Sequence, residues 1–310
     1  MHDRAAADGS RVSLTPDAAR QSSWPAFSGI VRRPSESDPI GNLMQPAIKM
    51  ALRAARQNSD FLKDQQARLD ADSKAPEAVV RTVHAIEHRI HERTEELLRR
   101  SYKDHWIAPA GNVEAGDWAQ SWHVFPILGE RNFARGLPEF ATALLQKIND
   151  RPENLVVLCP LTGEEYAFSR GYGAVLNSQR IRARATQQLA QTLISCNLFN
   201  RRSSGEDSGV WLDVAGSLVR EGADLHYNGC SVLDMARVAG GYLDAAVLAT
   251  DQRHEQVMAS LISQEAGAVG GDLRGNPLGR KAGELVIANN LLFREILQQA
   301  QPYRQRMTGA

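Results

Sequence analysis

The amino-acid sequence predicts a layered α/β (α+β) fold, and three observations carry the prediction. Two early stretches, residues 48–62 and 79–98, repeat apolar residues near the 3.6-residue helical period. From Trp118 the texture changes to short apolar runs separated by turn residues. Beyond Val210, helical stretches alternate with short apolar strands, a pattern that stacks helices against sheets.

Taken in order, residues 1–42 form a polar segment punctuated by Pro and Ser, without sustained periodicity, and read as a flexible extension. Its Arg32-Arg33 pair reads as solvated. The first helix carries Ile48, Leu52, Ala55, Phe61 and Leu62 on one face. The second carries Val79, Val83, Ile86, Ile90, Leu97 and Leu98. Ala75-Pro76-Glu77 suits its start, because the missing proline N–H is not needed in a first helical turn. Trp122-His123-Val124-Phe125, Ala141–Ile148 and Leu155–Leu158 read as strands, Leu161–Tyr166 as a turn feeding another, and Arg170–Gly173 as a loop. Helices follow at Val210–Leu218, Val232–Val238, Gln256–Glu265 and Leu291–Gln298, with strands at Leu243–Leu248 and Glu284–Ala288.

Composition narrows the function classes. The 310 residues carry 36 Lys plus Arg against 36 Asp plus Glu, so the chain as a whole exerts no pull on nucleic acid or an anionic membrane. A hydrophobic content of 43% excludes disorder along the whole length. No stretch reaches the roughly 18 apolar residues of a membrane span, and the first 40 residues hold no signal-type apolar run. Cys159, Cys196 and Cys230 match no metal-ligand spacing and fit a reduced, cytoplasmic compartment as small buried hydrophobes.

Among local motifs, His84-Ala85-Ile86-Glu87-His88 is the sharpest. H-x-x-E-H on a helix puts two imidazoles one turn apart beside a carboxylate, the inverted zinc-protease arrangement, and His91 falls on the same side. The surrounding Glu92, Arg89 and Arg93 favour a solvated helix face, which leaves His84, Glu87 and His88 as weak metal candidates. Gly267–Gly271 reads as a turn, since neither a dinucleotide fingerprint nor a P-loop lysine accompanies it.

Several segments, in unbroken order over residues 43–300, resemble the inositol monophosphatase family. Met44 to Arg56 resembles its opening helix. Trp122 to Phe133 resembles W-x-x-D-P-x-D-G-T-x-N-F, and Tyr166 to Ile181, with Arg170-Gly171-Tyr172-Gly173-Ala174, is similar to E-R-G-x-G-A-x-L-N-G. Gly229 to Asp244 is similar to the family's G-S-A-A-L-D helix, Glu265 to Asn276 to E-A-G-G, and Ile287-Ala288-Asn289-Asn290 to its last element. The resemblance implies an αβαβα sandwich, Mg²⁺-dependent phosphatase ancestry and homodimers. It also implies a division into an N-terminal half, residues 43–185, carrying the former metal site, and a C-terminal half, residues 186–310, of one compact unit.

The metal ligands that the resemblance implies are then missing one by one. Both aspartates of D-P-x-D-G-T are replaced, by Phe125 and Leu128, and the threonine by Glu130. The metal-binding Glu-Glu pair falls on Ala108-Pro109. The aspartate of the second helix falls on His84, which the resemblance aims at the old pocket, and the last aspartate becomes Glu255. Ser195-Cys196-Asn197 stands in the substrate loop. Mg²⁺ needs clustered oxygen donors to offset its dehydration, so the resemblance implies a binding or regulatory protein with no cofactor and no catalytic residue, with His84 and Glu255 as a conceivable new polar pair. The bacterial branch of the family acts in transcription antitermination, which implies a protein partner rather than direct contact with nucleic acid. The alternative is an active phosphomonoesterase that uses Mg²⁺ at a relocated or altered site, with His84, Glu87, His88 and Glu255 as weak metal candidates, or another hydrolase using His84, Glu87 and Glu255.

Overall fold

A computed structural model describes residues 45–69, 75–198, 208–250, 252–279 and 283–307. The expected extension, residues 1–42, lies outside them. The described residues all fall in one compact unit.

Helices α1 (Pro46–Arg68) and α2 (Pro76–Ser101) both begin on a proline, whose fixed φ is preset for a first turn. They lie on a seven-stranded sheet whose strands follow chain order: β1 (Trp106–Ile107), β2 (Gln120–Leu128), β3 (Ala141–Ile148), β4 (Arg151–Cys159), β5 (Glu164–Ser169), β6 (Gly173–Leu176) and β7 (Gln179–Ile181). Only the β1–β2 pair is parallel; the rest is an antiparallel meander. A short helix, α3 (Glu130–Ala134), interrupts it between β2 and β3.

The second sheet has the order β11-β12-β10-β8-β9, built from β8 (Leu193–Asn197), β9 (Asp224–His226), β10 (Ala245–Thr250), β11 (Val269–Gly271) and β12 (Gly283–Ala288). Helices α5 (Ser231–Ala239) and α6 (Arg253–Ala266) fill the space between the sheets. Helices α4 (Ser208–Arg220) and α7 (Asn290–Ala300) cover the far face.

Three of the four apolar clusters among the described residues follow from the two-residue period of the strands. Trp122 and Val124 face outward and receive Ile48, Leu52 and Ala55 of α1 and Leu98 of α2. Phe125, Leu145, Leu155 and Phe168 face inward onto Leu233 and Ala236 of α5 and Met258 and Ile262 of α6, which also contact Leu248 and Ile287 of the second sheet. Val247 and Val286 face Val214 and Leu218 of α4 and Leu292 and Ile296 of α7. The layers therefore run αβαβα.

Four local readings change. The expected strand at Leu243–Leu248 starts two residues later, because the Asp244 carboxylate accepts from the Leu193 N–H (2.9 Å) and the Thr186 hydroxyl and sits outside the strand. Ser195-Cys196-Asn197 belongs to β8 rather than a loop. Ile194 and Cys196 join the far core, while Ser195 and Asn197 turn toward α5. Gly267 is the left-handed C-cap of α6 (φ 67°), and Val269–Gly271 continues as the edge strand β11. Lastly, a bulge shifts the β2–β3 register between Phe125 and Leu128. Residues three apart in a regular strand face opposite sides; here both Phe125 and Leu128 join the inner core.

Candidate functional site

A cleft of about 760 Å³ opens where the end of β2 meets α2, α3 and the N-termini of α5 and α6. Its floor is the bulged end of β2. Phe125 is 2% exposed and Leu128 8%, and the Phe125 ring lies 4.9 Å from that of His254, centroid to centroid. Gly129 makes the turn out of the strand at φ 83°, and a Cβ there would lie 2.9 Å from the Glu139 carbonyl oxygen. That turn delivers Glu130 to the cleft wall. The Asn132 amide donates to the carbonyls of Glu139 and Asn228, each at 2.6 Å, and ties α3 to the loop before α5.

The opposite wall of this region comes from α2. Glu87 is 17% exposed and pairs at 3.2 Å with Nδ1 of His84, which is itself 67% exposed. Burial pushes the Glu87 carboxyl up to about 7, the charge of Glu130 pushes the same way, and His84 opposes both. His84 is thus a rim residue, and Glu87 is the α2 side chain turned inward. The spacing holds the reason: Val83, Glu87 and Ile90 fall on one helical face, and both apolar neighbours are buried.

His88 is also on the rim and faces Glu92 at 3.5 Å. His91 does not share the cleft, since its ring nitrogen lies 2.7 Å from the carbonyl of Ala108, below the helix. The H-x-x-E-H segment therefore presents two solvated imidazoles rather than a closed ligand set. Ala108 is fully buried, and Ala110-Gly111 reach the cleft in its place, a shift of two residues from Ala108-Pro109.

The α5 wall rests on a buried network. Asp234 is wholly buried; it accepts from the Ser195 hydroxyl and the Asn228 amide, both at 2.6 Å, and His226 stands 3.9 Å away. Burial raises its carboxyl to about 7 against the pull of Ser195, Arg237 and Asn228. Asn228 also accepts from the Cys230 N–H (2.8 Å), so the network fixes the turn at Gly229 that faces Asn132. His84 and Glu255 both line the cleft.

As a donor set for Mg²⁺ these residues do not fit. A phenyl ring and an isobutyl group stand at positions 125 and 128. Among the described residues no three His, Cys, Asp or Glu side chains are grouped to hold a metal ion. Glu87, Glu130 and Glu255 come from three different helices around the cleft.

The raised Glu87 pKa fixes a sign. The folded protein holds this proton more tightly than the unfolded chain, whose carboxyl titrates near 4.5, so the group's contribution to stability falls as pH rises from about 4.5 to about 7. Glu87→Gln is expected to be more stable than the parent at pH 8, by up to about 3 kcal/mol, and equal to it at pH 4. Urea unfolding at the two pH values measures the difference.

Two sheets alternating with three helix layers, and a cleft at the end of β2, define an αβαβα sandwich with its candidate site at a sheet end. The chain belongs to the inositol monophosphatase family, whose sequence model matches residues 40–305. The Nus factor SuhB of Pseudomonas aeruginosa is 30% identical over 266 residues, spanning 84% of this chain and 97% of the relative. The protein of the same name from Escherichia coli K12 is 26% identical over 256 residues, spanning 82% and 95%. Among solved structures, the extragenic suppressor protein suhB from Bartonella henselae superposes with a TM-score of 0.70 at 18% identity, covering 83% of this chain and all of that one. The Thermotoga maritima IMPase gives 0.71 at 20% identity, covering 85% and 100%. The fold implied by the resemblance is the fold observed. Among the described residues no helix is long and apolar enough to cross a membrane.

Proposed function

We propose that this chain is a binding member of the inositol monophosphatase family that has lost Mg²⁺-dependent hydrolysis and works in the cytoplasm through a protein partner. The observation that carries this reading is the cleft floor. Phe125 and Leu128 are packed into the inner core at the point where the family's chemistry requires two aspartates, and an ion there would meet carbon. Two-metal hydrolysis needs both the activated water and the neutralised leaving group, and neither side chain supplies a donor. The relatives named Nus factor SuhB support a partner in transcription, because such a role needs a surface rather than a catalyst. The three buried, free cysteines suit a reducing compartment. Homodimerisation, as the family implies, belongs to the same reading.

The second reading, an active phosphomonoesterase with a rearranged metal site, draws on Glu87 and Glu255 lining one cleft. Phosphate release from inositol-1-phosphate with and without Mg²⁺ separates the two. The expected result is a rate equal to the Mg²⁺-free blank. Lithium-sensitive release that Glu255→Ala abolishes would overturn the binding reading.

A further inference from the structure

The cleft has kept acid and lost the means to use it on a phosphate. Glu87 on α2, Glu130 at the start of α3 and Glu255 on α6 all line it, against one permanently basic lining residue, Arg131. Among the described residues no Lys or Arg stands within 4 Å of the Glu87 or Glu130 carboxylate; Glu87 has only the rim imidazole of His84. The other titratable groups in the lining are His88, turned to Glu92, His254, laid on Phe125, and Tyr227 and Cys230. An anion entering beside Glu87 and Glu130 meets two carboxylates. The carboxylates are also not grouped for a single monatomic ion. Beneath them lies an apolar floor of Phe125, Ile127, Leu128 and Val232, all buried. A cleft of about 760 Å³ is of the size that takes a small organic ligand or a long side chain.

We propose that the cleft binds an organic cation: an alkylammonium or guanidinium group whose charge lies between Glu87 and Glu130 and whose carbon chain lies on the Phe125–Leu128 floor. Charge and apolar area then act on two ends of one ligand, as in any amphipathic side chain. The proposal rests on the non-catalytic reading above and inverts the charge of ligand that a phosphatase site would take.

The test is calorimetric titration of the full chain at pH 8 and low salt with three probes: spermidine, a short peptide bearing lysine and leucine, and inositol-1-phosphate. The two cationic probes are expected to bind. The double variant Glu87→Gln, Glu130→Gln is expected to weaken them about tenfold or more while its unfolding midpoint does not fall. Tighter binding of the peptide assigns the cation to a protein side chain, and tighter binding of spermidine assigns it to a free amine. Silence from both, undiminished binding in the double variant, or preference for inositol-1-phosphate would each overturn the proposal. Cation binding and phosphate hydrolysis are read separately, so silence here leaves the hydrolysis result standing, and hydrolysis alone would remove the non-catalytic reading.

Discussion

Phe125→Asp is expected to cost about 4 kcal/mol or more of folding stability. Removing a buried phenyl ring leaves a cavity that the two-sheet core cannot close, and Phe truncations in such sites cost about 3–5 kcal/mol. Phe125 is 2% exposed and belongs to the core shared by both sheets, α5 and α6. The new carboxylate would also sit in a cleft that already holds Glu87, Glu130 and Glu255. Glu87 is already raised by burial and by Glu130, and a further negative charge pushes it the same way. A domain stable by about 5–15 kcal/mol has little margin for this, and the urea midpoint reads the loss. Phe125→Leu keeps the apolar floor and is expected to cost far less.

The companion variant, Phe125→Asp with Leu128→Asp, turns the same logic toward function. Both positions face inward because of the bulge, so the double variant places two carboxylates on one side of β2. Without a divalent ion it is expected to be less stable than either single variant. If these two side chains are what excludes the ion, Mg²⁺ raises its melting temperature and leaves the parent's unchanged, since a ligand that binds only the folded state stabilises it. An equal response in the two proteins would show that the floor is not the obstacle.

The helices and the meander were legible because their signals are local. Val83, Ile86 and Ile90 announce α2, and the alternation in Trp122–Phe125 announces β2. What the sequence hid depended on register and on contacts across the chain. A strict two-residue period places Phe125 and Leu128 on opposite faces, and only pairing with β3 reveals the bulge that unites them. Alignment to a motif put His84 at the pocket, and it stands on the cleft rim; the more buried Glu87 beside it carried no signal of its own in the motif. The resemblance made a loop of β8, and the partners that seat Ser195 and Asn197 there, Asp234 and Ser231, lie more than 30 residues away. Bulk neutrality had a similar blind spot. Thirty-six acids against 36 bases says nothing about a cleft in which three glutamates face one arginine.

Asp234→Ala is expected to be among the more damaging changes near the cleft, at about 2–4 kcal/mol, because it leaves two neutral donors without their acceptor. The Ser195 hydroxyl and the Asn228 amide both donate to this carboxylate at 2.6 Å, and Asp234 and Ser195 are fully buried. Asp234→Asn separates charge from hydrogen bonding. Both partners are donors, so the new NH₂ faces one of them, and the Ser195 hydroxyl must turn to accept; a loss of about 1 kcal/mol is expected for that rearrangement. The pH dependence distinguishes the variants further. The folded-state carboxyl holds its proton up to about 7, against an ordinary value near 3.8, so its contribution to stability declines as pH rises across that window. Asp234→Asn abolishes that decline, and its deficit against the parent should therefore shrink between pH 5 and pH 8. The same network seats Asn228 under the Cys230 N–H, so Asp234→Ala should also speed hydrogen exchange at Gly229–Ser231. That would show that the α5 wall of the cleft is held by a buried carboxylate in β8–α5 contact, not by any ligand within it.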